Sequence, residues 1–440
     1  MTSLWKNTND LPAFPELDQH ISTEVLIIGG GLAGLLCART LTDAGIDCVL
    51  LEAGRLCGGV TANTTAKITA LHGLRCKRMI GDIGTKKTHL YYEANQWAVR
   101  NFANMCRDID CGFRRQNAYV FAKDNREAIR QEAAALRSIG VEAETTNRID
   151  LPFDAPAVML RDQAQFDPLR FAAHIAKGLR IYEYSRVRSL MGHKAITESG
   201  SVTAQKIVVA THFPFINRHG SYFLKQYQSR ANVIALESAP HIEGMYLQDF
   251  PEGLSFRSAD RYLLVGDAGH RTGMPGGGWD DLERTAAALF PGSSVKYRWA
   301  AQDCMTLDGI PYIGRYSALT PNLFVATGFN KWGMTSSMIS ARLITDLITG
   351  KENEWERVFS PSRNMLRRQL AVNAVHAAKG LLSFSKPRCS HLGCVLRWNP
   401  QEHTWDCPCH GSRYTDEGEL INEPAQHNAK VRRAGRDIDK

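Results

Sequence analysis

Near the C-terminal end of this chain, Cys389-Ser390-His391-Leu392-Gly393-Cys394 and Cys407-Pro408-Cys409-His410-Gly411-Ser412 set thiols and imidazoles at short intervals. Thiolate and imidazole are well suited to borderline and soft metals. Two chemistries could use C-x-H followed by C-x-x-H. A structural zinc site takes two cysteines and two histidines on one ion. A 2Fe–2S centre of mixed ligation takes two thiolates on one iron and two imidazoles on the other, one of each from two loops. Zinc has no need of Cys394, Pro408, Cys409, Gly411 and Ser412 at these places, which favours iron and sulfur. The other seven cysteines, Cys37, Cys48, Cys57, Cys76, Cys106, Cys111 and Cys304, are scattered and read as reduced or buried thiols.

A second pattern lies at the opposite end. Gly29-Gly30-Gly31-Leu32-Ala33-Gly34 fits G-x-G-x-x-G between an apolar β run, Glu24 to Gly29, and a segment of helical spacing, Leu32 to Ala44. Gly29 allows the tight turn, and Gly31 lets a pyrophosphate approach the backbone at the positive end of the helix. Gly34 lets helix pack closely on strand. A second β run, Asp47 to Leu51, leads to Glu52, about 20 residues on, where a carboxylate binds ribose hydroxyls. The six-residue pattern is weak alone; strand, helix and Glu52 together predict a bound dinucleotide. Glu52 would serve FAD and NAD alike.

The choice between them rests on further segments: Gly59 to Lys67 (GVTANTTAK), Lys206 to Thr211 (KIVVAT), Asp308 to Gly314 (DGIPYIG) and Gly328 to Thr335 (GFNKWGMT). With Val25 to Glu52 they make residues 20–350 resemble the glycine/D-amino-acid oxidase-like family of FAD enzymes. No second G-x-G-x-x-G offers a nicotinamide site. The resemblance implies an α/β fold, with a Rossmann-like FAD-binding domain and an antiparallel-sheet substrate domain of the glutathione-reductase-2-like kind. It implies that Thr61 and Thr65 sit in a loop bordering the isoalloxazine and phosphates, and that Val187 meets the adenine through its backbone. Gly328, Gly333, Met334 and Thr335 would bring a helix start to the flavin's N1–C2=O edge. A helix N-terminus stabilises the negative charge that reduction places there. Lys67, in the same loop as Thr65, is the candidate catalytic residue. Asn63 stands where some relatives attach FAD through a histidine, so the expected FAD is non-covalent. Tyr246, Arg257 and Tyr262 are candidates for clamping a substrate carboxylate. His212, His219, His241 and His270 show no ligand spacing and read as structural.

Residues 386–425 resemble Rieske proteins, and the resemblance assigns Cys389, His391, Cys407 and His410 as cluster ligands. It pairs Cys394 with Cys409 in a disulfide linking the two loops. It also carries Ser412 and Tyr414 onto hydroxyls that hydrogen-bond the cluster sulfurs. Such donors favour the reduced state, which predicts a potential in the upper part of the ~ −150 to +300 mV range of these centres. Only Gly380 to Arg388 could supply base strands before the first ligand, so the small all-β module looks truncated.

The elements that must position these groups follow from periodicity. Helical patterns cover Tyr91 to Cys106 and Asn125 to Ile139, and Phe166-Asp167-Pro168 opens another. Strand patterns recur at Ile181 to Leu190, Lys206 to Ala210, Arg261 to Val265 and Asn322 to Ala326, and a long helix runs from Met334 to Thr349. The oxidoreductase domain is placed at 1–360, with FAD-binding parts about 20–80, 180–215 and 300–350, and substrate parts about 90–175 and 215–300. A linking helix follows at 361–385, then the Rieske module at 386–427 and a basic tail at 428–440.

The chain has 440 residues, 44% hydrophobic, with a formal charge of +8. Its basic clusters, among them Arg75 to Arg78, Arg367-Arg368 and Arg432-Arg433, are short and lack interleaved aromatics, which argues against nucleic acid. No run reaches the ~18 apolar residues of a membrane span, and residues 1–24 show no secretory pattern. A cytoplasmic protein is expected. A flavin takes two electrons as hydride and a Rieske cluster moves one at a time. The combination suggests oxidation of a small amine or amino acid, with electrons passed singly to an acceptor protein or quinone and not straight to oxygen. Other classes are an electron-transfer component with a small closed flavin cavity, serving a partner oxygenase or reductase, and a redox sensor.

Overall fold

The computed structural model describes residues 2–9, 11–249, 253–382 and 387–431. Lys386, the expected start of the module, lies outside them, as do Arg432, Arg433 and the rest of the basic tail from residue 432.

The first sheet grows from the β–α–β unit at the front of the chain. Strand His20–Ile28 pairs in parallel with Cys48–Leu51 on one side and Ser201–Val209 on the other. Leu323–Thr327 extends the sheet in parallel, and Tyr312–Arg315 closes that edge antiparallel. The central strands are apolar on both faces, as a covered parallel sheet requires. Val25, Ile27 and Leu50 pack beneath helices Leu32–Asp43 and Gly333–Ile348. Leu26, Ile28, Val49 and Leu51 point the other way, towards Val187 and Val202. The run expected as one strand over Ile181 to Leu190 is two short strands, Ile181–Tyr182 and Ser189–Met191. Val187 sits buried in the loop between them.

A second sheet, ten strands among the described residues, stands beside the first. It is largely antiparallel, and its longest pairing joins Gln226–Glu237 to Ser294–Thr306. Met245–Gln248 and Arg114–Phe121 form a parallel step within it. Helix Pro168–Ile175 begins as its sequence predicts: Asp167 Oδ1 accepts the backbone N–H groups of Leu169 (2.9 Å) and Arg170 (3.1 Å), with proline at the first turn.

The linking helix runs Arg368–Leu382, inside the 361–385 expected for it and shorter at its start. Beyond it, Arg397–Asn399, Thr404–Asp406, Arg413–Thr415 and Leu420–Asn422 make a four-stranded antiparallel sheet. A bridge between Arg388 and Val395 precedes it. The module thus has a small sheet of its own, and its cluster loops lean on the second sheet of the larger domain.

Candidate functional site: a flavin cavity with a cluster lobe in its wall

A cavity of about 1200 Å³ opens at the carboxyl ends of the parallel strands. That is where open α/β sheets bind ligands. Gly29, Gly31, Glu52, Thr61, Thr65, Lys67, Val187, Gly328, Gly333 and Met334 all line it. At Gly29 the backbone has φ +110°, and a Cβ there would collide with the Ala210 carbonyl. A Cβ on Gly31 would meet only Thr61 Oγ1, at 3.6 Å, so the backbone is open towards the cavity. Gly34 lies behind the lining, where a side chain would strike the Gly29 carbonyl; it serves packing.

Glu52 is half-buried, and its desolvation pushes the carboxyl pKa up. Its Oε2 accepts Gly30 N–H (2.6 Å) and its Oε1 accepts Gly54 N–H (2.8 Å), leaving lone pairs for ribose hydroxyls. Thr61 Oγ1 accepts Leu32 N–H at the helix start (3.0 Å). An open glycine backbone, a helix start and a fixed, half-buried carboxylate fit a dinucleotide such as FAD.

At the other end the helix Gly333–Ile348 starts on the cavity, with Gly333 and Met334 in the lining. Thr335 is one place too far: it is buried behind the wall, with Oγ1 3.4 Å from His72 Nε2. His72 was not singled out in the sequence, yet it lines the cavity and stacks on Trp332 with centroids 4.3 Å apart. Its ring nitrogens meet Tyr91 Oη (2.7 Å) and the Thr69 carbonyl (2.8 Å). Lys67 donates to the Tyr246 carbonyl (3.2 Å). Burial, aided by the Arg257 guanidinium, brings the Lys67 pKa down to about 7.

The three clamp candidates are not in the lining. Tyr246 turns to the other face of its strand, where Oη accepts Asp150 N–H (3.1 Å) and donates to the Glu243 carbonyl (2.5 Å). Arg257 is buried over the Trp5 ring, 5.3 Å from its centroid. Tyr262 is buried against Tyr297 and accepts from Arg261 (2.8 Å).

In the module, two hydrogen-bonded turns carry the candidate metal-binding side chains. Cys389 N–H donates to the Cys394 carbonyl (2.8 Å), and Cys407 N–H to the Ser412 carbonyl (2.9 Å). The rings of His391 and His410 stand edge to face with centroids 4.9 Å apart. His391 Nε2 bonds Asn217 Oδ1 (3.2 Å) and His410 Nε2 bonds the Phe223 carbonyl (2.9 Å). His391 Nδ1 is buried with no hydrogen-bond partner among the described residues. Outer nitrogens tied to the protein and an orphaned inner one are what metal-ligating histidines show. Burial lowers the His391 pKa to about 4, and burial with the neighbouring ring lowers His410 to about 3. Both are neutral at pH 7, as metal binding requires. Tyr414 Oη lies 3.1 Å from Cys389 Sγ. Ser412 Oγ accepts Ala425 N–H (3.1 Å), which leaves its own hydrogen to donate.

The expected disulfide is absent from the structure: Cys394 and Cys409 are both free thiols. The loops bring a third sulfur, Cys407, to the same point, and the three Sγ atoms lie within 4.8 Å of one another.

The lobe is built into the cavity wall. Phe213 lines the cavity and stands edge-on to His391 and His410, with centroids 6.5 and 6.1 Å away. Gln302, also lining, donates to the Gly411 carbonyl (2.9 Å) and to Gln228 Oε1 (2.6 Å). Gln228 in turn donates to the His410 carbonyl (2.9 Å). Arg271 grips the Pro408 and Cys409 carbonyls (2.8 and 3.0 Å). His212 Nε2 accepts Cys304 N–H (3.1 Å), so Nδ1 carries the hydrogen donated to Glu423 of the module (2.8 Å).

Residues 24–347 match the family described as FAD dependent oxidoreductase, and residues 352–433 match the Rieske [2Fe-2S] domain. The chain belongs to that FAD-dependent oxidoreductase family and ends in a Rieske domain; it is an enzyme whose cofactors are FAD and a 2Fe–2S cluster. It is 34% identical to the Rieske 2Fe-2S iron-sulfur protein YhfW of Bacillus subtilis (strain 168), over 96% of this chain and 95% of that one. It is 24% identical to gamma-glutamylputrescine oxidoreductase of Escherichia coli (strain K12), over 80% and 89% of the two chains. The fold matches glycine oxidase from Geobacillus kaustophilus with a TM-score of 0.66 at 20% identity, over 78% of this chain and 99% of that one.

Proposed function

We propose that this enzyme oxidises an amine or amino acid at the carbon next to nitrogen and sends the electrons out singly through the cluster lobe. In this reading Cys389 and Cys407 hold one iron, and His391 and His410 the other. Gly29, Gly31, Glu52, Thr61, Thr65, Val187, Gly328, Gly333 and Met334 contact non-covalent FAD. Gly34 and Thr335 support that site from behind. Cys394 and Cys409, thiols in the structure, would close as a disulfide by giving two electrons and two protons to an oxidant such as oxygen or a small-molecule disulfide, and Ser412 and Tyr414 would donate to the cluster sulfurs. FAD held there would supply hydride acceptance, and a 2Fe–2S cluster held by these ligands would supply one-electron transfer.

Lys67, neutral above about pH 7, takes the proton from the substrate ammonium and so frees the nitrogen lone pair that drives C–H oxidation. The Gly333 helix start stabilises the negative edge of the reduced ring. Relatives named for a glycine and a gamma-glutamylputrescine activity support a C–N substrate.

The observation that carries the relay is Phe213, at once in the cavity lining and against both histidine rings. A cavity of about 1200 Å³ favours a substrate-oxidising enzyme over a component with a small closed flavin site. The described helices include none long and apolar enough to cross a membrane, in keeping with a cytoplasmic location and a protein or quinone-like acceptor reached from that side.

The test is anaerobic reduction of the purified protein by a panel of amines and amino acids, recording flavin and cluster spectra together. One substrate class is expected to bleach both. Flavin bleaching with the cluster left oxidised, or oxygen turnover unchanged in Cys389→Ser, would refute the relay.

A further inference from the structure

The Arg368–Leu382 helix carries a pattern that the redox chemistry does not use. Its two buried residues are Asn373 and Gly380. Asn373 accepts from Arg271 (3.0 Å) and donates to the Leu224 carbonyl (3.2 Å). Gly380 presses so closely on the cluster loops that a Cβ would lie 2.6 Å from Cys409 Sγ. These two fix the inner face.

The outer face is apolar. Ala371, Val375, Ala378 and Leu382 recur at helical spacing, flanked by Val372 and Leu381, and every one is exposed. Val375 is 51% and Leu382 76% exposed. An amphipathic helix of a globular protein turns such a stripe inward; here it faces out, and a contiguous exposed apolar patch marks an interaction surface.

Charge selects the occupant. The helix has no acidic residue, and exposed Arg368 and Lys379 lie about three turns apart along one edge of the stripe. A second copy of the chain would set the same cations against each other. The stripe also lacks the aromatic anchors on which protein interfaces are built. Aliphatic side chains edged by cations suit the headgroup boundary of an anionic bilayer. We infer that this helix docks the enzyme on an anionic lipid surface, with the stripe seated among the acyl chains and Arg368 and Lys379 at the headgroups. The cluster loops then stand directly behind the docked helix.

Full-length protein is to be sedimented with vesicles of phosphatidylcholine, alone or mixed with phosphatidylglycerol. Co-sedimentation is expected with the mixed vesicles and should weaken as salt is raised. Val375→Asp with Leu382→Asp should reduce it about tenfold, and Arg368→Glu with Lys379→Glu should abolish the preference for anionic lipid. Unchanged flavin absorbance and thermal midpoint would show that these surface variants fold. No co-sedimentation, binding undiminished in both variants, or a wild-type dimer that Val375→Asp dissolves without any lipid binding would each overturn the inference. The assay involves no turnover, so its failure leaves the amine-oxidising reading intact.

Discussion

At the scale of single residues, Lys67 shows how placement makes an ordinary side chain useful. Its described hydrogen bond goes to a carbonyl, and burial with Arg257 nearby holds its pKa near 7. The rate at low amine concentration should therefore rise with pH through about 7. Lys67→Met should lose that limb and about 10²-fold in kcat/KM, the usual scale of a lost general base; an unchanged profile would remove Lys67 from the mechanism. The same shift predicts a stability effect. A lysine whose folded pKa lies below its unfolded 10.5 takes up protons on unfolding, so stability rises with pH between about 7 and 10.5, and the full penalty applies below 7. Lys67→Met should then raise the melting temperature more at pH 6 than at pH 9.

The metal centre allows an equally sharp contrast. Cys389→Ser should lose iron and acid-labile sulfide while keeping flavin, and Cys394→Ser should keep iron. A single zinc on Cys394, Cys407 and Cys409 predicts metal loss in Cys394→Ser instead. Elemental analysis of the two variants decides between them. The ligand candidates were legible because cluster loops are local in sequence. His212 was not, because its partner Glu423 lies 211 residues away. Tyr246 failed as a clamp for a reason of parity: successive strand residues face opposite ways, and Leu247 lines the cavity while Tyr246 points to the other face.

At the scale of elements, the front β–α–β unit was readable almost residue by residue, since its turn, helix start and carboxylate all fall within one short stretch. Gly29→Ala tests that unit. The left-handed backbone alone costs about 1–2 kcal/mol with a side chain, and the new Cβ would meet the Ala210 carbonyl. Purified Gly29→Ala should come out with little flavin, measured as the ratio of visible to ultraviolet absorbance, while its cluster spectrum persists. The two short strands around Val187 were not readable, because an apolar run gives no sign that it leaves the sheet midway. Nor were Gln228 and Gln302. Two glutamines on neighbouring strands look like surface polarity, and only the arriving lobe, with the His410 and Gly411 carbonyls, gives them partners.

For the whole molecule, the question is what makes two domains behave as one. A buried chain of charges crosses their junction: Arg230 of the large domain pairs with Glu402 of the lobe, which also meets Arg413 (2.8 Å), and Arg413 meets Asp406 (2.9 Å). These side chains are between 2% and 13% exposed. Such a network adds little over an apolar junction, yet removing one member strands the others and costs about 3–5 kcal/mol. Wild-type protein should therefore unfold with flavin release and cluster bleaching at one temperature. In Glu402→Ala, Arg230 and Arg413 would be left buried without that carboxylate, and cluster bleaching should precede flavin release. Adding Arg230→Met should recover part of the loss, because the stranded cation is then gone. If Glu402→Ala kept the two signals coincident, the charges would not be what joins the domains, and the amide contacts of Gln228 and Gln302 would have to suffice.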